Sequence, residues 1–470
     1  MNHFLSFGID AELCRRVLAV ALSRGADDAD LYFEHSGSTS VALSDGKVNR
    51  ASTHVDLGVG VRVVVGDQVG YAYTEDLSEA AMIAAARVAA EIAEGTRRTA
   101  PVALAPRAVA DRYSAQQPWE QVDLQTRVAL VREWERRAFA ADARVIRVET
   151  SLGDSFKHIL IARPDGRLVY DYQPMTRGWV VCTAEAAGKK ESSNANLAQR
   201  AGLEFYTPER TDRMCRKAVD DTVALFEAVK APAGEMTVVL GAGSSGILLH
   251  EAIGHGLEAD FNRKGISIFA DRVGQRIAPA GVTVVDDGTL PHARGSINTD
   301  DEGNEPQRTV LVDDGILRGF LHDEISARHY GVPVTGSGRR ESFRHVVLPR
   351  MRSTYMDPGP YSPDEIVQSV KRGIYCADFA NGQVQIGAGD FAFYVRRGFL
   401  IEDGRLTRPI KDVNLIGNGP DVLATVEMVG NDLKIDEGGW TCGKDGQSVP
   451  VSQGMPTVKV SKLSVGGVSA

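Results

Sequence analysis

The chain has 470 residues, of which 43% are hydrophobic, 24% charged and 7% aromatic. At roughly 150 residues per domain, this length predicts about three units, large enough to bury their cores without staples. Lys and Arg number 53 against 62 Asp and Glu, a net charge of −9 with no basic block, which argues against nucleic acid or an anionic membrane as a partner.

Asp10 is placed to cap a first helix running to about Arg24, with Leu13, Val17 and Leu18 on one face. Strand patterning follows, with Val41, Leu43 and Val48 flanking a Ser44-Asp45-Gly46 turn. Gly58 to Val65 reads as a buried strand returning through Gly66-Asp67. Ser78 to about Glu94 is Ala-rich and helical, and Gly95 is positioned to end it. Pro101, Pro106 and Pro118 mark a linker. An amphipathic helix is predicted near Leu124 to Ala141, then strands at Val145–Leu152, His158–Ala162 and Leu168–Tyr172. A further helix spans about Pro208 to Val229, and Lys230 to Gly234 form the main boundary. Beyond it, Asp313-Asp314-Gly315 and Asp403-Gly404 separate alternating apolar runs, a strong hairpin signal. The expected fold is α+β, with units at 1–100, 118–230 and 235–470. The first two are mixed α/β pieces; the last is large, β-rich, mostly antiparallel and carries the chemistry.

The five cysteines, Cys14, Cys182, Cys215, Cys376 and Cys442, are scattered and form no CxxC pair, so a reducing compartment is expected. The start, Met1 to Gly8, shows no signal-peptide pattern, and no apolar run approaches the roughly 20 residues that span a bilayer. A cytoplasmic location is the expectation.

Two signatures overlap between Met236 and Glu258. Gly241, Gly243 and Gly246 fit G-x-G-x-x-G after an apolar strand, with Asp260 about where a ribose-binding acid would stand. That pattern suggests a dinucleotide-binding oxidoreductase, but nothing between Gly246 and Asp260 resembles the second strand such a fold needs. The other signature is His250-Glu251-x-x-x-His255. Two imidazoles can hold an ion while the adjacent carboxylate takes a proton from its bound water. The usual histidine spacing is four, which shares a helix face; here it is five, which turns the side chains about 140° apart on a straight helix. Both reach one ion only if the helix widens into an i→i+5 turn or ends early. Gly254 and Gly256, flanking His255, are expected to permit the bend. Glu258, His292, His322, His329, His345 and Cys442 are all candidate third ligands.

Asn298 to Gly303 resembles half of a calcium loop, but position twelve is Thr309 rather than Glu, so an acidic turn is expected. Gly336 to Glu341 could bind an anion and Arg350 and Arg352 could clamp a carboxylate; surface ion pairing is the expected role for these arginines.

The segment Leu249 to Arg263 resembles the metal-binding segment of the TldD/PmbA (TldD/TldE) metallopeptidases. Further matches follow in order at Val285 to Thr289, Gly336 to Ser342, Pro349 to Met351, Met428 to Leu433 and Cys442 to Val451. Gly58 to Arg62 and the Asp45-Gly46 turn fit the family's N-terminal domain. The resemblance spans nearly the whole chain. It implies a cytoplasmic, zinc-dependent peptidase acting on unfolded or flexible peptides. It also implies a homodimer, or a heterodimer with a TldE/PmbA-like sister subunit that lacks the zinc residues. The family's cysteine ligand maps onto Cys442, so the resemblance assigns Zn²⁺ to His250, His255 and Cys442 and the general-base role to Glu251. The alternative is a peptide-binding adaptor whose metal is structural.

Overall fold

The computed structural model describes residues 2–93, 100–385 and 388–466. Its N-terminal half is organised by one seven-stranded sheet, whose long strands are Asp28–Ser44, Lys47–Val65, Val145–Ala162 and Arg167–Ala186. Asp28–Ser44 pairs with Val145–Ala162, so residues from both expected N-terminal units share a continuous hydrogen-bonded ladder. The turn at Asp45-Gly46 has positive φ at both residues (52° and 72°), the two-residue geometry that matches strand twist.

Strand alternation gives this sheet two unlike faces. Leu31, Phe33 and Leu160 lie under the helices Ala11–Ala21 and Glu79–Ala90. Val41, Leu43, Val148 and Leu152, on the same face, lie under Leu124–Ala141 and Pro208–Ala224. Asp10, Ser78, Asp123 and Thr207 cap these four helices by accepting a backbone N–H. The opposite face presents Tyr32, Ile159, Ile161 and Val169 to Phe343 of the C-terminal half.

Several boundaries depart from the sequence reading. Val145–Ala162 and Arg167–Ala186 are single strands of 18 and 20 residues rather than short pieces. The apolar pattern breaks at Asp154, which is buried because Arg127 donates to both its oxygens at 2.7 Å. The fourth helix stops at Ala224, and Val229–Lys230 is already strand. The Ala-rich helix covers Glu79–Ala90; Glu94 and Gly95 lie outside the described residues. Within the expected linker, Ala105–Arg107 pairs in parallel with Arg167–Val169.

The C-terminal half contains an eight-stranded and a six-stranded sheet, with most pairings antiparallel. In the larger one, Arg372–Gln385 pairs with both Gly234–Leu240 and Asp390–Glu402, which closes five strands into a ring. The segment that carries His250 is packed between these sheets by Leu248, Leu249, Ile253 and Leu257. A separate two-stranded hairpin, Thr441–Lys444 with Gln447–Pro450, carries Cys442. Its turn, Asp445-Gly446, repeats the positive-φ pair (49° and 73°).

The glycine-rich segment is not a dinucleotide loop. The strand Gly234–Leu240 leads into a four-residue helix, Gly246–Leu249; among the described residues no strand lies between Gly246 and Asp260, and the strand that pairs with it in parallel begins only at Arg372. A Cβ at Gly246 would stand 2.5 Å from the Gly454 backbone nitrogen, so this glycine allows close packing. Asp260, the expected ribose ligand, is buried and bonded by Lys444 Nζ at 2.7 Å.

Candidate metal centre

The helix that begins at Gly246 widens at His250–Gly254 into a π-helical turn, where the His255 N–H donates to the His250 carbonyl. It then tightens into a 3₁₀ turn at His255–Leu257. This is the i→i+5 turn that the five-residue spacing requires, and π turns of this kind recur at functional sites. The two imidazoles face each other edge-on, with centroids 5.1 Å apart. The flanking glycines act differently from expectation. Gly254 has an ordinary helical φ of −58°, and Met351 Sδ occupies the space that a Cβ would need. Gly256 makes room for Phe269. Close packing, rather than a bend, accounts for both.

The Cys442 hairpin meets this turn from the far end of the sequence. One donor atom from each of His250, His255 and Cys442 lies within 4.8 Å of the others. Cys442 Sγ is 3.3 Å from His255 Nε2, and Glu251 Oε2 is 3.9 Å from the same nitrogen. All three donor residues are buried, while the Glu251 side chain keeps 18% of its surface exposed.

Glu258 stands behind the centre rather than in it. Its Oε2 is 3.0 Å from His255 Nδ1, which fixes that ring with Nε2 toward Cys442 and Glu251. Lys444 Nζ lies 3.0 Å from the same Glu258 oxygen, and the Met351 N–H donates to Oε1 at 3.2 Å. Burial alone would raise the Glu258 carboxyl; Lys444, then His255, hold it well below the usual carboxylate range. Burial likewise opposes a Cys442 thiolate, but His255 and His250 outweigh it and hold the thiol well below its ordinary value. The thiolate is the form that ligates. Burial disfavours the His255 imidazolium, yet Glu258 and Cys442 raise its proton affinity well above normal. For Glu251, burial wins and raises the carboxyl above its ordinary range, against the pull of both imidazoles.

The residues fit a metal ion on three grounds. The donor set is two imidazoles and a thiol poised to ionise. Tetrahedral bonds of about 2.0–2.3 Å place ligands roughly 3.3–3.7 Å apart, compatible with the spacing here. His250 Nδ1 is buried without a hydrogen-bond partner among the described residues, an atom that a packed interior would otherwise satisfy.

The other candidate ligands are elsewhere. His292 Nδ1 is 3.1 Å from the Arg200 carbonyl, His345 Nδ1 is 2.9 Å from Ser342 Oγ, and His322 and His329 pack around Tyr330. The arginines expected at the surface are buried. Arg352 pairs with Asp286 at 2.7 Å, and Arg350 donates to the Cys442 carbonyl at 2.7 Å, holding the hairpin in place. The role of Lys444, two residues from Cys442, was not foreseen; a single buried cation between Glu258 and Asp260 leaves no periodic signal.

This α+β chain sets a His–Glu–π-turn–His segment against a cysteine hairpin, a set of donors that could hold a metal ion. Sequence models of three consecutive domains, described as PmbA/TldA metallopeptidase domain 1, central domain and C-terminal domain, match residues 29–93, 117–226 and 233–467. The chain belongs to this PmbA/TldA metallopeptidase family. It is 40% identical to the Haemophilus influenzae protein named metalloprotease TldD homolog, over 95% of this chain and 94% of that one. A Saccharolobus solfataricus protein named zinc metalloprotease TldD homolog is 36% identical over 50% of this chain and 52% of its own length. The crystal structure of TldE from Thermococcus kodakarensis has the same fold, with a TM-score of 0.75 and 18% identity, over 97% of this chain and 99% of that one.

Proposed function

We propose that the chain is a zinc-dependent peptidase that cleaves unfolded or flexible peptides, with Glu251 as general base. One observation carries this reading: among the described residues three protein donors converge, not four, and a partly exposed carboxylate stands beside them. Structural zinc sites are closed by four protein ligands, whereas catalytic ones keep a position open. The soft thiolate with two imidazoles suits zinc, the metal named for the Saccharolobus relative.

His250, His255 and Cys442 would hold a divalent ion, which would supply Lewis-acid polarisation of the scissile carbonyl and of water. Glu251 Oε2 receives the proton of the attacking water and delivers it to the leaving amine. Glu258 holds His255 in one tautomer, and Lys444 balances the charge of Glu258. A strand edge of the antiparallel C-terminal half would hold the peptide by backbone hydrogen bonds, with little demand on sequence. A partner of the same fold, a second copy or a TldE/PmbA-like sister, completes the reading. All five cysteines are free, in keeping with a cytoplasmic protein, and among the described residues no helix is long and apolar enough to cross a membrane.

The test compares wild type with Glu251→Gln for zinc content and for cleavage of a disordered peptide, each alone and with the sister subunit. Retained zinc with a loss of about 10²–10⁴-fold in kcat is expected. Normal cleavage by the variant contradicts the role of Glu251. Peptide binding without cleavage by either form points to the adaptor reading.

A further inference from the structure

Between the second face of the N-terminal sheet and the Cys442 hairpin lies a cavity of about 480 Å³. Six cationic side chains line it: Lys157, Arg200, Arg294, Arg339, Arg340 and Arg344. Three have carboxylate partners within this chain. Lys157 pairs with Glu34, Arg340 with Asp30, and Arg344 with Asp56.

The other three guanidiniums meet only neutral acceptors among the described residues. Arg200 donates to the Arg294 carbonyl at 3.2 Å and to Gln173 Oε1 at 3.4 Å. Arg294 donates to the Trp440 carbonyl at 2.9 Å and to Thr441 Oγ1 at 3.3 Å. Arg339, which is buried, donates to the carbonyls of Met351 at 2.8 Å and Pro450 at 2.7 Å. The acids in the wall are already engaged: Glu34 and Asp56 as above, Asp301 by the Arg340 N–H and Glu341 by the Ser448 N–H.

Arg200 and Arg339 are buried and Arg294 is half-buried. Asp171 and Asp301 act on Arg200 and Arg339 only through space. Guanidiniums so placed without a hydrogen-bonded anion are costly. For Arg294 and Arg339, burial and like-charged neighbours lower the proton affinity. Burial first, then Arg177 and Arg200, push Arg294 down to about 10; burial first, then Arg200, push Arg339 down to about 9. The cavity and the metal centre also share a wall. Thr441 immediately precedes Cys442, and Met351, whose carbonyl accepts from Arg339, gives its N–H to Glu258 behind His255.

We propose that Arg200, Arg294 and Arg339 form a carboxylate-binding subsite for the peptide on which the metal centre acts. The carboxylate is either the free C-terminus of that peptide or an acidic side chain. Guanidinium forks suit this group, with hydrogen bonds about twice as strong as neutral ones. The subsite gives the enzyme a preference among otherwise featureless flexible peptides, and it rests on the peptidase reading above.

The test separates the two. Calorimetric titration of the zinc-loaded Glu251→Gln chain uses one short flexible peptide as free acid and as C-terminal amide, each with an internal Glu or Gln. At least one carboxylate should tighten binding about tenfold, the scale of a charged hydrogen bond. An acid-over-amide difference assigns the chain terminus, and a Glu-over-Gln difference assigns the side chain. Arg294→Gln should remove the preference and Arg294→Lys should keep part of it. Arg200→Gln provides a second site should the first variant fold poorly. Equal affinity of all four peptides, no binding of any, or a preference that survives both Gln substitutions overturns the proposal. Cleavage of the neutral amide by wild type but not by Glu251→Gln upholds the peptidase reading whatever the titration shows.

Discussion

Buried charge is organised on two different plans in this chain. Where the N-terminal sheet meets the C-terminal half, cations and anions of the chain itself satisfy one another. Arg62 pairs with Asp30 and Glu302, Arg340 with Asp30, and Arg163 with Asp28 and Glu324. Asp300 accepts the N–H groups of Glu302 and Asn304, which turns the acidic stretch at 298–303 into part of this joint rather than a cation loop. At the metal centre, two imidazoles, a thiol and Glu251 point at one another, and only His255 is backed by a counter-charge. A network closed on itself holds elements together; a convergent set of donors left open is where the proposed metal ion would bind. The same contrast recurs in the arginine cavity, where half the cations are paired and half are not.

The comparison can be broken most forcefully at the joint. Arg62→Met leaves Glu302 and part of Asp30 without their cation, and loss of one partner of a buried pair costs about 3–5 kcal/mol. Thermal and denaturant unfolding should show that drop, while the protein that stays folded keeps its zinc. Zinc lost in parallel with stability would mean that the two networks are one. The next effect is at the centre. Glu258→Gln should weaken zinc binding about 10–100-fold through the freed His255 ring, read by chelator competition, with a smaller change in unfolding. An unchanged affinity would reduce Glu258 to a packing residue.

The smallest effect lies at the far rim of the same sheet, where His3 Nε2 is 2.7 Å from His35 Nδ1 and His3 stacks on His158 at 4.0 Å. Burial first, then the neighbouring histidines, lowers His3 to about 4; burial, then His158, also lowers His35. A depressed folded-state value favours the neutral ring, so this contribution is complete above about 6.5 and fades as pH falls toward 4. Unfolding between pH 7 and 4 should lose that slope in His3→Asn; an identical slope would remove the cluster from the account.

Much of this was legible in the sequence, for identifiable reasons. The helix Leu124–Ala141 stands where its periodicity placed it, and Asp-Gly pairs at Asp45, Asp314 and Asp403 each form positive-φ turns. The five-residue histidine spacing calls for either a wide turn or an early helix end if the two rings share an ion, and His250–Gly254 is the wide turn. Long-range partners were not legible. Asp154 looked like a break in a strand because Arg127 is on another element, and Arg352 looked exposed because Asp286 lies 66 residues away. Glu258 read as a ligand for the same reason: spacing shows nearness to His255, and only the fold shows which ring nitrogen it meets.

X-ray absorption at the zinc edge tests the central claim most directly. On the purified chain, the account predicts one zinc with a single sulfur at about 2.3 Å and two imidazole nitrogens at about 2.0–2.1 Å. The sulfur signal should vanish in Cys442→Ser. A bound zinc with no sulfur neighbour, or a sulfur shell that survives that substitution, would contradict it.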